Sequence, residues 1–207
     1  MYPLQLVKLN TEHTLYVPDP ALIQSTYQKL AAENTATIFP YWAKVWASAH
    51  AMTQFLQEEP TWIQNKIVLE IGAGVGIPSF CIASLTKKII ISDYAPDAVA
   101  LLQKNINHLA LNNAQAACID WNTISEDTTV DTILLSDTNY EPSAHNNLVV
   151  LINRFINNGS SIILATPNRL ASNPFIDRIS KYITSTKKYS IAENDTNKEI
   201  VVMVLKK

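Results

Sequence analysis

Glycine is scarce in this chain of 207 residues: there are four, and Gly72, Gly74 and Gly76 fall within five positions of one another, while Gly159 precedes an apolar run. Bare backbone is therefore required at 72 to 76, either for a sharp turn or for close approach of another group. Cysteine is scarcer still. Cys81 and Cys118 are too few for a disulfide framework or a four-ligand zinc site, and their apolar or small-residue surroundings read as buried, reduced thiols. Arginine supplies three of the sixteen basic residues (Arg154, Arg169, Arg178), and eighteen acidic residues bring the net charge to −2, so no basic stripe marks a nucleic-acid groove. No apolar run approaches the roughly twenty residues of a membrane span, and the N-terminus lacks a cationic leader. A soluble, cytoplasmic, monomeric protein without nucleic-acid or membrane contact is expected. His13, His50, His108 and His145 share no metal-ligand spacing and read as surface or partly packed side chains, so no metal is expected. A Gly-x-Ser-x-Gly elbow is missing, which excludes the common hydrolase reading.

What is present is ordinary globular material, 47% apolar and 16% charged, enough for one domain of residues 1–207 around a substantial core. Residues 1–60 read as an N-terminal extension. Stretches 4–9 and 14–18 can pair as a hairpin around Asn10 to His13. Residues 21–34 have helical spacing, and Pro40 is placed to open a second helix carrying Trp42, Val45, Trp46, Ala49, Met52 and Leu56 on one stripe until Glu59 and Pro60.

From Lys66 the pattern alternates, and residues 61–207 read as a nucleotide-binding core. Apolar runs at 67–71, 88–92, 114–120, 132–136 and 160–166 are separated by helical stretches at 78–85, 96–110 and 143–157. Near-continuous apolar strands with crossover helices imply a mostly parallel α/β sheet covered on both faces. One more helix, 175–183, precedes runs at 189–193 and 200–205. Their polar connection, 194–198, is too short for a crossover helix, so these last strands should be antiparallel neighbours.

The first core strand runs into the glycine cluster as Val68-Leu-Glu-Ile-Gly-Ala-Gly-Val-Gly-Ile-Pro78. A strand, a glycine turn and a helix N-terminus together offer free N–H groups to a ligand. A dinucleotide fingerprint wants its third glycine at position 77, which is Ile, so the loop reads Glu-x-Gly-x-Gly-x-Gly instead. Asp93, followed by Tyr94, ends the second strand, where a carboxylate can accept both ribose hydroxyls of an adenosine. Asp120 and Trp121 end the third, an acceptor beside a flat ring that can read an adenine edge and cover its face.

The order of these motifs resembles the class I, seven-strand S-adenosylmethionine-dependent methyltransferases over about residues 36 to 207. Three pieces resemble one branch, the family 16 type, which includes protein-lysine methyltransferases and was formerly labelled nicotinamide N-methyltransferase-like. They are Pro40-Tyr-Trp-Ala-Lys-Val-Trp46, Asp120-Trp121, and Ser136-Asp-Thr-Asn-Tyr140 after the fourth strand. The resemblance implies a Rossmann-like, doubly wound sheet of seven strands with an antiparallel C-terminal strand. It also implies S-adenosyl-L-methionine as cofactor and S-adenosyl-L-homocysteine as product.

Residue roles follow from the same resemblance. Gly72, Gly74 and Gly76 would lie along the cofactor, Glu70 would fix its ammonium end, Asp93 would hold the ribose, Tyr94 would stand beside it, and Asp120 and Trp121 would flank the adenine. Trp46 would close over the cofactor, although two tryptophans four apart on an apolar stripe serve equally well as core anchors. Asp137 and Tyr140 would face the acceptor as the catalytic pair, which departs from the two-proline motif of base-directed amino-methyltransferases. A side chain added at Gly74 is expected to block the ligand and spare the fold. The implied activity is N-methylation of a lysine on a partner protein; a small-molecule acceptor, or a silent cofactor-binding module, remain open alternatives.

Overall fold

The computed structural model describes residues 2–9, 13–168, 173–193 and 196–207. Strands β1 (Leu4–Lys8) and β2 (Thr14–Pro18) pair antiparallel, with Leu6 opposite Tyr16. The hairpin expected from sequence is therefore present, while its tip, Asn10 to Glu12, lies outside the described residues. Alternation along β2 sends Leu15 and Val17 into the main core. Between them, Tyr16 is held by the buried Asn105 carboxamide, which accepts from the Tyr16 N–H at 2.8 Å and donates to its carbonyl at 2.9 Å. One side chain thus imitates a neighbouring strand. Helix α1 (Pro20–Glu33) starts where Asp19 accepts the Ala21 N–H and Pro20 needs no partner.

The second helix differs from expectation. Residues Tyr41–Ala43 form a single 3-10 turn, Lys44 is extended, and α2 runs only over Ala47–Glu58, with Trp46 extended at its N-cap. Trp42 and Trp46 therefore do not share a stripe. Trp42 packs edge-on against Tyr2 at 5.8 Å in a satellite cluster with Ile23 and Ala43. The Trp46 indole N–H instead donates back to the Tyr41 carbonyl at 3.1 Å, tightening the bend.

The core then alternates as read: β3 (Ile67–Ile71), α3 (Ile77–Ile82), β4 (Lys88–Asp93), α4 (Pro96–His108), β5 (Ala114–Cys118), β6 (Thr132–Ser136), α5 (His145–Asn157), β7 (Ser161–Pro167), α6 (Asn173–Ile179), β8 (Ile183–Glu193) and β9 (Thr196–Leu205). The seven-stranded sheet has the order β5-β4-β3-β6-β7-β9-β8, parallel except for β9, which runs antiparallel to both neighbours. Successive side chains of β3 go to opposite layers. Val68 joins the cluster of α2, α3 and α4, whereas Leu69 and Ile71 join that of α5 and α6. Sheet order reverses at β3, since β4 lies on one side and β6 on the other, and the crevice at that switch point is where open α/β sheets bind ligands.

Two further expectations need correcting. The final strands are longer than read: 183–188 belong to β8 and 196–198 to β9, so the polar connection shrinks to Asn194 and Asp195, which lie outside the described residues. Cys118 is exposed rather than buried because β5 is an edge strand whose alternation turns it outward; Cys81 is half-buried, and neither forms a disulfide. Among the described residues no helix is long and apolar enough to cross a membrane, and no His, Cys, Asp and Glu group could hold a metal.

Candidate active site

A cavity of about 320 Å³ opens at the switch point, near the lower end of the roughly 300–1,000 Å³ usual for small-molecule sites. Its floor is the turn after β3. Gly72, Gly74 and Gly76 all have positive φ, and at Gly74 (φ +54) the requirement is doubled, because an added Cβ would lie 2.8 Å from the Trp42 carbonyl oxygen. The Trp42 backbone is seated directly on the glycine loop. A side chain at Gly74 would therefore collide with protein backbone, not merely with a ligand, which corrects the expectation that the fold would be spared.

Asp93 holds this floor from the next strand. Its carboxylate is 3% exposed; one oxygen accepts the Gly74 N–H at 2.9 Å and the other the Ala95 N–H at 2.9 Å. Burial pushes its pKa up, opposed by those backbone donors. Each oxygen keeps a second lone pair for a hydroxyl from the cavity.

Glu70, on β3, is 1% exposed. Ser79, at the start of α3, donates to one oxygen, and the other is buried without a partner among the described residues. Burial raises its pKa to about 7, against the lowering effect of Ser79. A buried carboxyl with an orphaned acceptor, lining a cavity, is suited to a cation or an N–H donor.

The opposite wall is the turn after β6. Asp137 lines the cavity at 8% exposure and adopts φ +53, a left-handed conformation that Asp tolerates better than most residues; its N–H extends the β6-β7 ladder to the Ala165 carbonyl at 2.8 Å. Beyond it, the Thr138 hydroxyl and both polar atoms of the Asn139 carboxamide are buried without hydrogen-bond partners. Tyr140 returns to the cavity mouth, 45% exposed, with its ring 5.7 Å from that of Tyr41.

Of the residues singled out in the sequence, Trp46, Glu70, Gly72, Gly74, Gly76, Asp93, Tyr94, Trp121, Asp137 and Tyr140 all line this one cavity. Asp120 does not. Its exposed carboxylate is engaged in its own turn, accepting from the Asn122 N–H and the Asn122 side chain, both at 2.8 Å. Trp46 stands outside the apolar core clusters and faces the cavity, with the Lys44 ammonium 4.3 Å from its ring centroid; Lys44 also bridges to Glu193 at 2.8 Å. Sequence reasoning missed Tyr41, Lys44 and Thr138, which line the cavity, and His145, which is buried and bonds the Asn139 carbonyl at 3.0 Å. Tyr41 and Lys44 sat in a stretch read as helix. For His145 no sequence signal existed, because the contact reaches back across a 3-10 turn.

The solved structure of an N-methyltransferase of Bradyrhizobium japonicum, in complex with S-adenosyl-L-homocysteine, shares the fold: TM-score 0.61 at 16% identity, covering 88% of this chain and 99% of that one. A protein N-terminal and lysine N-methyltransferase of Neurospora crassa is 39% identical over 64 residues, 30% of this chain and 23% of the relative. A human histone-arginine methyltransferase is 29% identical over 114 residues, 52% of this chain and 60% of the relative. The chain thus spans less than two thirds of either relative's length. A family model described as lysine methyltransferase matches residues 28–182, well over half of the sequence, and the chain accordingly belongs to the lysine methyltransferase family.

Proposed function

We propose that the chain is an S-adenosyl-L-methionine-dependent N-methyltransferase that methylates a lysine side chain of a partner protein. The observation that carries this reading is the charge of the cavity. Among the described residues that line it, Glu70 and Asp93 are buried carboxylates, and the one lysine, Lys44, is already paired with Glu193. Such a site favours a ligand that brings positive charge and disfavours the pyrophosphate of a dinucleotide. S-adenosylmethionine carries a sulfonium and an ammonium, and it supplies an electrophilic methyl group.

The chain's own residues then divide the work. Glu70 would accept from the ammonium end with its unpartnered oxygen, and Asp93 would take the two ribose hydroxyls on its remaining lone pairs. Trp121 would flank the base, and Trp46 would cover the site. Asp120 is left to its turn. An acceptor lysine arrives as ammonium, with a reference pKa of about 10.4. Asp137 is suited to capture and orient it, not to deprotonate it: a carboxylate about 4 Å away at an effective dielectric of about 20 favours the charged amine by about 4 kcal/mol. The proton leaves to water at the open mouth, and the neutral amine attacks in line, so that catalysis is mainly alignment. A mouth lined by exposed tyrosines fits a side chain entering from a protein surface better than a closed small-molecule pocket. The near-neutral charge balance and the unbridged cysteines support a monomer acting in the cytoplasm without nucleic acid.

The test is transfer of labelled methyl from S-adenosylmethionine to proteins of a cell lysate, followed by acid hydrolysis of the labelled band. Label in methyllysine, lost with Asp137→Asn, supports the reading. Label confined to methylarginine, or only to small molecules, overturns the acceptor assignment.

A further inference from the structure

Among the described residues, the exposed members of the Phe, Tyr and Trp set are Tyr41, Tyr94 and Tyr140, and all three line the mouth of the same cavity. They come from three separate connections: the turn before α2, the end of β4 and the turn after β6. Exposures are 47%, 56% and 45%, while the other aromatic side chains are buried or half-buried. Scattered apolar exposure is normal for a protein surface; three rings converging on one opening form a patch, and such patches mark recognition sites. The Tyr41 and Tyr140 rings lie 5.7 Å apart, tilted by 38°, forming an open wedge, and Tyr94 sits within electrostatic reach of Tyr140. Glu141 adds a carboxylate beside them.

We infer that Tyr41, Tyr94 and Tyr140 form a collar that recognises the acceptor's cation by its ring faces, and that its grip tightens as the nitrogen gains methyl groups. This rests on the methyltransferase reading above. Two recognition chemistries meet at this opening with opposite preferences. The Asp137 carboxylate grips through N–H donors, and an ammonium loses one donor with each methyl added. Ring faces grip through charge and dispersion, and each methyl weakens the competing hydration. A collar outside a carboxylate therefore keeps monomethyl- and dimethyllysine as acceptors instead of rejecting them. In each transfer the N–C bond forms as the S–C bond breaks, one proton leaves the nitrogen to water beforehand, and one molecule of cofactor is consumed.

The experiment uses the full chain with S-adenosylhomocysteine bound, titrated with N-acetyl-lysine methylamide and its mono-, di- and trimethyl forms by calorimetry. Affinity is expected to rise about tenfold from the unmethylated to the trimethylated probe. The Tyr41→Leu/Tyr94→Leu double variant should flatten that series, and Tyr41→Phe/Tyr94→Phe, which keeps the rings, should preserve it. Thermal melting, measured first on each protein, shows that the variants are folded, and each is titrated at a concentration of S-adenosylhomocysteine that saturates it. If S-adenosylhomocysteine fails to bind the unaltered chain, the methyltransferase reading falls. If it binds but the probe series is flat, inverted, undetectable or unchanged by the leucine substitutions, the collar falls and that reading stands.

Discussion

The two halves of the cavity are built on opposite principles. The loop after β3 is held by the chain itself: Asp93 already receives two backbone N–H groups and the Trp42 backbone packs on Gly74, while Glu70 on β3 keeps one oxygen without a partner. The wall after β6 holds Asp137 at positive φ, and leaves the Thr138 hydroxyl and the Asn139 carboxamide buried without partners. Backbone in sparsely populated regions and unpartnered buried groups each cost about 1 to 3 kcal/mol. The floor is therefore preorganised before any ligand arrives, whereas the wall is held at a cost that persists only where surrounding packing imposes it. The difference teaches where each kind of mutation should act. Damage to the floor should abolish cofactor binding, and damage to the wall should spare it.

The largest effect is expected at Gly74. Gly74→Val puts a branched side chain against the Trp42 carbonyl in a left-handed conformation, so both thermal stability and S-adenosylhomocysteine binding should be lost together. A Gly74→Val protein that melts normally yet binds no cofactor would show that the clash is with ligand alone. Next comes Asp93→Ala. Removing a carboxylate that clamps the loop as well as holding a ligand should weaken cofactor binding by at least about 3 kcal/mol, the upper end for one charge-assisted hydrogen bond. A loss below about 1.5 kcal/mol in a titration would mean that the clamp matters little.

Asp137→Asn should leave cofactor affinity within about threefold and reduce methyl transfer far more, because the lost contact orients the acceptor. If the carboxylate captures ammonium, the deficit shrinks as pH rises towards the amine's pKa. A deficit that instead vanishes at low pH contradicts that role.

Glu70 gives a pH signature. Its folded pKa of about 7 lies above the ordinary 4.5, so the folded state holds the proton more tightly. Its contribution to stability is complete below about pH 4.5 and is lost as pH rises to 7. Binding a cation needs the ionised form, so cofactor affinity should climb by up to about tenfold between pH 6 and 8 with release of a proton. Glu70→Gln should flatten both profiles; calorimetry in buffers of differing ionisation heat reads the proton, and an unchanged slope places the titration elsewhere.

The smallest effect is expected at Thr138. Thr138→Val keeps the shape and removes an unpartnered buried hydroxyl, so the ligand-free protein should gain up to about 1 kcal/mol, a melting rise of about 2–4 °C. A loss of stability would reveal a hidden partner for that hydroxyl.

The buried strands were legible because β3, β6 and β7 are covered on both faces and read as continuous apolar runs. The first half of β8 was not, since Thr184 to Lys188 form an exposed sheet edge and carry no apolar pattern. The cofactor half of the site was legible because its constraints, bare backbone and a strand-end carboxylate, are local. The break at Lys44 to Trp46 was hidden, since Trp42, Val45, Trp46 and Ala49 have helical spacing and the forces against a helix come from elsewhere: the seat on Gly74 and the Trp46 bond to Tyr41. Asp120 stands at the strand end that the sequence indicates, but outside the cavity lining, with one of its carboxylate oxygens accepting from its own Asn122.

The contrast between floor and wall is tested most directly by titrating S-adenosylhomocysteine, in one calorimetric series, into the unaltered chain, Asp93→Ala and Asp137→Asn. The account predicts binding to the unaltered chain, binding within about threefold of it for Asp137→Asn, and binding weaker by about a hundredfold or more for Asp93→Ala. Binding that survives Asp93→Ala and is destroyed by Asp137→Asn would contradict it, assigning the cofactor to the wall and the acceptor to the floor.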